Sequence, residues 1–129
     1  VRGQSSQDAG RDSRMDIAET RHGLVFVVAP AGRIDSTTSE ALEQALTKAV
    51  DAGQRRLVVD FDGVSYISSA GLRVLLVIAK RLKTQPGTLV LCALTDAVRQ
   101  VFELAGFLPL FLVEPTRDLA IARCGANAP

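Results

Sequence analysis

The sequence predicts an α/β domain: a mixed, mostly parallel sheet that opens with an antiparallel hairpin and carries about four helices. Three observations predict it. From about residue 24 onward, short Val-, Leu- and Ile-rich runs alternate with stretches whose apolar residues fall at helical spacing. His22-Gly23 makes a turn between the first two strand-like runs, which are therefore expected to form a hairpin. The chain has 129 residues, which at roughly 100–200 residues per domain makes one domain. A chain of this size buries about two-thirds of its unfolded surface, enough for a hydrophobic core.

The elements follow in order. Residues 1–14 hold no Leu, Ile or Phe and are expected to be a disordered tail. The start has no apolar stretch of the signal-peptide kind and no Met, so it reads as incomplete or processed. Met15-Asp16-Ile17-Ala18-Glu19 alternates as a half-exposed strand does. Leu24 to Val28 forms the second hairpin strand, and Pro30 is expected to end it for want of an N–H. Thr37 and Glu40 match a capping box for a helix over about 38–51, closed by Gly53. Arg56 to Phe61 is a strand that leads through Asp62-Gly63 to Ser68-Ser69-Ala70-Gly71. A helix then carries Leu72, Leu75, Leu76, Ala79 and Leu82 on one stripe. After Pro86-Gly87 comes a buried strand, Thr88 to Leu94. A third helix starts at Thr95-Asp96 and packs Val98, Val101, Phe102 and Ala105 inward. Leu110 to Val113 is a short last strand, and a short helix opens at Thr116-Arg117-Asp118. Folded structure is expected over 15–123, with 124–129 frayed. The predicted order is β-β-α-β-α-β-α-β-α, and right-handed crossovers join its parallel strands.

Composition narrows the function. Fifteen basic against fourteen acidic residues leave a net charge of +1, which argues against a dedicated nucleic-acid binder. One histidine excludes a His-based metal cluster. Cys92 sits in an apolar run and reads as a small buried hydrophobe. With Cys124 it makes two cysteines, which suggests a reducing, cytoplasmic setting rather than a disulfide scaffold. No charge-free stretch approaches the roughly 20 apolar residues of a membrane span.

Enzyme signatures are sparse. The chain has no GxGxxG, no GxxxxGK[ST] and no GxSxG. His22 reads as a solvated turn residue rather than a triad base. One reading gathers Asp35, Asp60 and Asp62 at the C-terminal end of a parallel sheet around Mg²⁺. The plainer reading makes Asp60 a solvated strand-end residue and Asp62-Gly63 a turn. No cofactor or metal is expected.

The most informative stretch runs from Tyr66 to Arg73, where a strand delivers the chain to a helix start. Serine there caps the helix, and Gly71 allows close approach to the sheet. The functional reading is a phosphate switch. Helix N–H groups and the dipole tolerate a phosphate at that end, and phosphorylation adds about −1.5 to −2 charges. On a docking surface, that charge weakens a complex.

At this point the chain resembles the STAS domain family, the anti-anti-sigma factors or anti-sigma factor antagonists. Gly32-Arg33-Ile34-Asp35 looks like the family's G-x-[LI]-D segment. Val58 through Ile67 looks like its D-[LF]-x-x-[VL]-x-[FY]-[IM] strand, and Ser68-Ser69-Ala70-Gly71-Leu72 like its D-S-[STA]-G-[LIVM] loop. The resemblance spans roughly residues 15 to 123. It implies a non-catalytic regulator. Unphosphorylated, such a protein binds a serine kinase that is also an anti-sigma factor. Phosphorylation releases it, and a phosphoserine phosphatase resets it. Ser69 falls at the phosphorylated position. Asp35, Ser68, Ser69, Ala70, Gly71, Leu72 and Arg73 would form or border the partner-facing surface, with no direct nucleic-acid contact and no membrane insertion. Ser68 stands where the family has an acidic residue. It supplies no charge and is itself a competing phosphorylation site. That departure keeps open an alternative, a constitutive adaptor subunit of a transporter or sensory complex. A small phosphatase using Asp60 or Asp62 has no recognisable spacing behind it.

Overall fold

The computed structural model describes residues 15–126. The expected tail at 1–14, and residues 127–129, lie outside the described residues. Alternating apolar runs give β1 (Asp16–His22), β2 (Val25–Ile34), α1 (Ser39–Asp51), β3 (Arg56–Asp60), β4 (Gly63–Ile67), α2 (Ser69–Thr84), β5 (Thr88–Cys92), α3 (Asp96–Leu104), β6 (Leu112–Glu114) and α4 (Arg117–Ala126). A 3-10 turn at Leu108–Leu110 precedes β6.

The sheet runs β1-β2-β3-β5-β6, with β4 also paired to β2. β1 and β2 are antiparallel, and every other pairing is parallel. The hairpin turn is Gly23-Leu24, with Gly23 at a positive φ of 62°. His22 is therefore the last residue of β1, opposite Val25, rather than a turn residue.

Two expectations are corrected around β2. Pro30 does not end the strand, which runs on to Ile34. Phe26–Val28 pair with β3, and Ala31–Ile34 pair with β4. Pro30 falls in the gap between those pairings, where a missing N–H breaks no ladder bond on that edge. The stretch after Asp62 is likewise a strand of its own, β4, and not only a lead into the helix.

Strand alternation sends side chains to both faces. Val28, Leu57, Val59 and Leu91 face α1, α2 and α3, together with Leu42, Leu46, Leu75 and Phe102. Val25, Val27, Val58, Val90 and Cys92 face the other way and meet Ala120 and Cys124 of α4. The frayed end expected from 124 is thus displaced. Cys124 is fully buried, because its helix covers a sheet face that would otherwise be wet. Both cysteines are free thiols. Burial pushes the Cys92 thiol up to about 12 and the Cys124 thiol up to about 11, so both act as apolar filler.

The helix ends show local chemistry. Gly53 (φ 100°) and Gly106 (φ 74°) close α1 and α3. At each, two N–H groups return to the helix: Gly53 to Val50 and Gln54 to Ala49, Gly106 to Glu103 and Phe107 to Phe102. Thr95 caps α3 through Val98 N. Within α3, Val98 and Phe102 are buried while Ala105 is exposed, because the helix already ends at Leu104. Phe102 stands edge-on between Phe61 (6.1 Å) and Phe111 (5.8 Å), which ties α3 to the sheet.

Asp60 is buried, against the expectation of a solvated residue. Its Oδ2 accepts from Arg117 Nε at 2.7 Å and its Oδ1 from Asp62 N at 2.9 Å. The ion pair pins the start of α4 to the end of β3. Arg117→Ala leaves the buried carboxylate short of its main partner. Urea unfolding should show a loss of about 1–3 kcal/mol, with the fold retained. An unchanged midpoint would mean that the pair contributes nothing net.

Candidate functional site

The site forms where β2 and β4 end side by side. Ile34 and Ile67 are register partners, and the Ser68 N–H donates to Ile34 O at 2.8 Å. Both chains then turn into helices, so the N-termini of α1 and α2 emerge at one end of the sheet. Ligand sites of parallel α/β sheets form at such strand ends.

Asp35 organises the first turn. Its Oδ1 accepts from Thr37 Oγ1 at 2.7 Å, Thr37 N at 3.0 Å and Thr38 N at 3.2 Å. Thr38 Oγ1 donates to Arg33 O at 2.6 Å and accepts from Asp35 N at 2.9 Å. The capping box expected from Thr37 and Glu40 is absent, because the Asp35 carboxylate binds the Thr37 hydroxyl and N–H instead; α1 begins after Thr38. The Thr37 hydroxyl above all, then its N–H, holds the Asp35 carboxyl below its ordinary value. Asp35 is therefore a carboxylate at neutral pH.

The second turn presents the serines. Ser68 is the N-cap of α2, in extended conformation, and its Oγ accepts from Gly71 N at a long 3.5 Å. Ser69 is the first helical residue and is exposed. Gly71 is buried hard against the sheet. A Cβ there would lie 2.7 Å from Ile34 Cγ2 and 2.8 Å from Ile67 Cγ1. Leu72 is buried in the core. Gly71 and Leu72 thus lie beneath the expected surface rather than exposed on it. They hold α2 in position instead. Arg73 is exposed, four residues beyond Ser69, and so lies on the same helix face. With Ser39, Glu43, Ala70, Val74 and Val77 it lines a groove of about 190 Å³ between α1 and α2.

Two residues that sequence reasoning left out join this surface. Arg33 and Tyr66 are register partners, with the Arg33 guanidinium carbon 4.4 Å from the Tyr66 ring centroid. Arg33 Nε also lies 3.8 Å from Asp35 Oδ2. Alternation was the available signal. With Ile34 and Ile67 turned inward, their preceding neighbours face out.

The three aspartates weighed for Mg²⁺ do not gather. Asp60 is committed to Arg117. Among the described residues, no group of three His, Cys, Asp or Glu side chains could hold a metal. Among the described residues, no helix is long and apolar enough to cross a membrane.

Comparison with known proteins adds four findings. The STAS domain model matches residues 16–120. BtrV of Bordetella bronchiseptica, named as a candidate anti-sigma factor antagonist, is 50% identical over 91 residues, covering 70% of this chain and 78% of BtrV. The crystal structure of an anti-sigma factor antagonist from Mycobacterium paratuberculosis superposes with a TM-score of 0.81 at 30% identity, covering 91% of this chain and 98% of that one. The unphosphorylated form of the anti-sigma factor antagonist SpoIIAA shares the fold (TM-score 0.74, 21% identity, 88% and 100% coverage).

Two outcomes follow from the geometry. Gly71→Ala should cost about 1–3 kcal/mol in urea unfolding, because a methyl group has no room between α2 and the two isoleucines; a neutral result would show that the helix shifts freely. The Asp35 carboxyl should titrate below its ordinary value of 3.8 in a ¹³C NMR titration. Its stabilising contribution is full above 3.8 and is lost as pH falls through the lowered midpoint. Thr37→Ala, which removes the largest cause, should move that midpoint upward.

Proposed function

The chain belongs to the STAS domain family, and from that premise we propose that it is an anti-sigma factor antagonist switched at Ser69. The unphosphorylated form docks a serine kinase/anti-sigma factor through the strand-end surface. Phosphorylation of Ser69 breaks the complex, and a phosphoserine phosphatase restores it. The carrying observation is the exposed Ser69 at the first position of α2, on a turn held rigid from below by Gly71, Ile34 and Ile67.

Physical chemistry supports the direction of the switch. A phosphate at this helix end is accommodated within the chain by free N–H groups and the dipole. Arg73, one turn on, is placed to pair with it. Toward a partner the change is larger. The ionised Asp35 follows the residue that bonds Ser68, and Arg33 lies 3.8 Å from its carboxylate, so this end already holds a carboxylate and a balancing cation. Adding about −1.5 to −2 charges changes its electrostatic character and desolvation cost. Because Ser68 caps the helix without a charge, the surrounding field is weaker than an acidic residue would make it. That favours, as a second reading, a constitutive adaptor that is never phosphorylated.

The test is a pull-down from native-host lysate, with and without ATP, combined with peptide mass spectrometry. Ser69→Glu should weaken capture of the partner at least tenfold, about 1.4 kcal/mol. Ser69→Ala should bind like the wild type yet lose release by ATP. A partner kept in the presence of ATP, with Ser69 unmodified, would sink the switch and leave the adaptor. Phosphate mapped to Ser68 would move the switch by one residue.

A further inference from the structure

At the opposite end of the sheet from Ser69 lies a cavity of about 640 Å³. It is built from three connections: the β1-β2 turn, the α1-β3 link and the α2-β5 link. Its lining includes Arg21, Arg55, Arg56 and Lys83, with Leu24 and Pro86 as apolar wall and no carboxylate. That volume lies within the roughly 300–1,000 Å³ of small-molecule sites. In a chain whose net charge is only +1, four cations around one cavity are a strong local excess.

The plain explanation is that these cations answer the C-terminal ends of α1 and α2, which converge here. Arg55 does so, since its guanidinium donates to Val50 O at 3.1 Å and Gln54 O at 3.0 Å. Magnitudes limit this account. Each helix end carries about half a negative charge, so two ends offset about one of the four cations. Among the described residues no carboxylate pairs with any of the four; the nearby Asp51 is taken by Arg81 at 2.8 Å. Arg56 keeps its Nε buried without a hydrogen-bond partner among those residues, a donor that costs free energy until an acceptor meets it. Leu24 is 69% exposed, and it offers an apolar contact at the rim.

We propose that this cavity binds a small organic molecule carrying two or more phosphate groups. A single phosphate would leave cations uncompensated, whereas a diphosphate matches the excess of about three charges and bridges turns that no single side chain spans. A concave cavity of this volume suits a small ligand better than a flat protein face does. The site is independent of Ser69, since none of its lining residues belongs to the strand-end surface.

The experiment uses the whole chain, ¹⁵N-labelled, titrated with inorganic pyrophosphate at constant ionic strength. Expected are saturable shifts confined to residues 21–24, 52–56 and 83–88. The double variant R21E/K83E, at two exposed side chains, should weaken binding at least tenfold while its spectrum stays folded. Three results would overturn the proposal: shifts matched by sodium chloride at the same ionic strength, shifts centred on residues 68–73, or an affinity indifferent to the charge reversal. Polyglutamate binding as tightly as pyrophosphate would also overturn it, since the surface would then serve an acidic protein.

Discussion

Strand β2 carries three partners, and the arrangement of the whole molecule follows from that. One edge pairs with β1 from Val25 to Ala31, while the other pairs with β3 first and β4 afterwards. A strand of ten residues has room for two short parallel partners in succession, and Pro30 marks the change between them. The consequence is geometric. β2 and β4 reach the same end together, so the turn at Asp35 and the turn at Ser68 are joined by a backbone hydrogen bond. Had β2 stopped at Pro30, Asp35 and Ser69 would have no reason to share a surface.

Packing keeps that surface at a fixed height. Gly71 lets α2 sit on Ile34 and Ile67 with no side chain between. The serines above it are therefore held by a close-packed contact and not by the weak 3.5 Å cap bond of Ser68. Rigidity of this kind suits a site read by a partner, because little ordering cost remains when the complex forms. The other sheet face is closed by α4, tied down by Asp60 and Arg117. A charged residue reads as exposed until its partner is known, and here the partner is 57 residues away.

Charge is distributed by function as much as by sign. The Ser69 end holds one ionised aspartate with Arg33 beside it, and modification changes its balance sharply. The opposite end holds four cations around a cavity, offset only in part by two helix termini. A net charge near zero conceals this separation, because the sum over the chain says nothing about where the charges meet.

Much of this was legible along the chain. The hairpin, the alternation of strands and helices, the glycine closing α1, the caps at Ser68 and Thr95 and the stretch from Tyr66 to Arg73 all depend on residues close in sequence. Local propensity and periodicity carry such information directly. Other features were set by contacts between distant segments. Pro30 is tolerated because of where β3 and β4 fall. Thr37 loses its capping role to Asp35. Leu72 withdraws into the core, Cys124 is covered by a helix where fraying was expected, and Arg33 and Tyr66 meet across two strands. Local pattern specifies which elements form. Which face each presents, and which charges become neighbours, is decided by register and packing, and these exist only once the sheet is assembled.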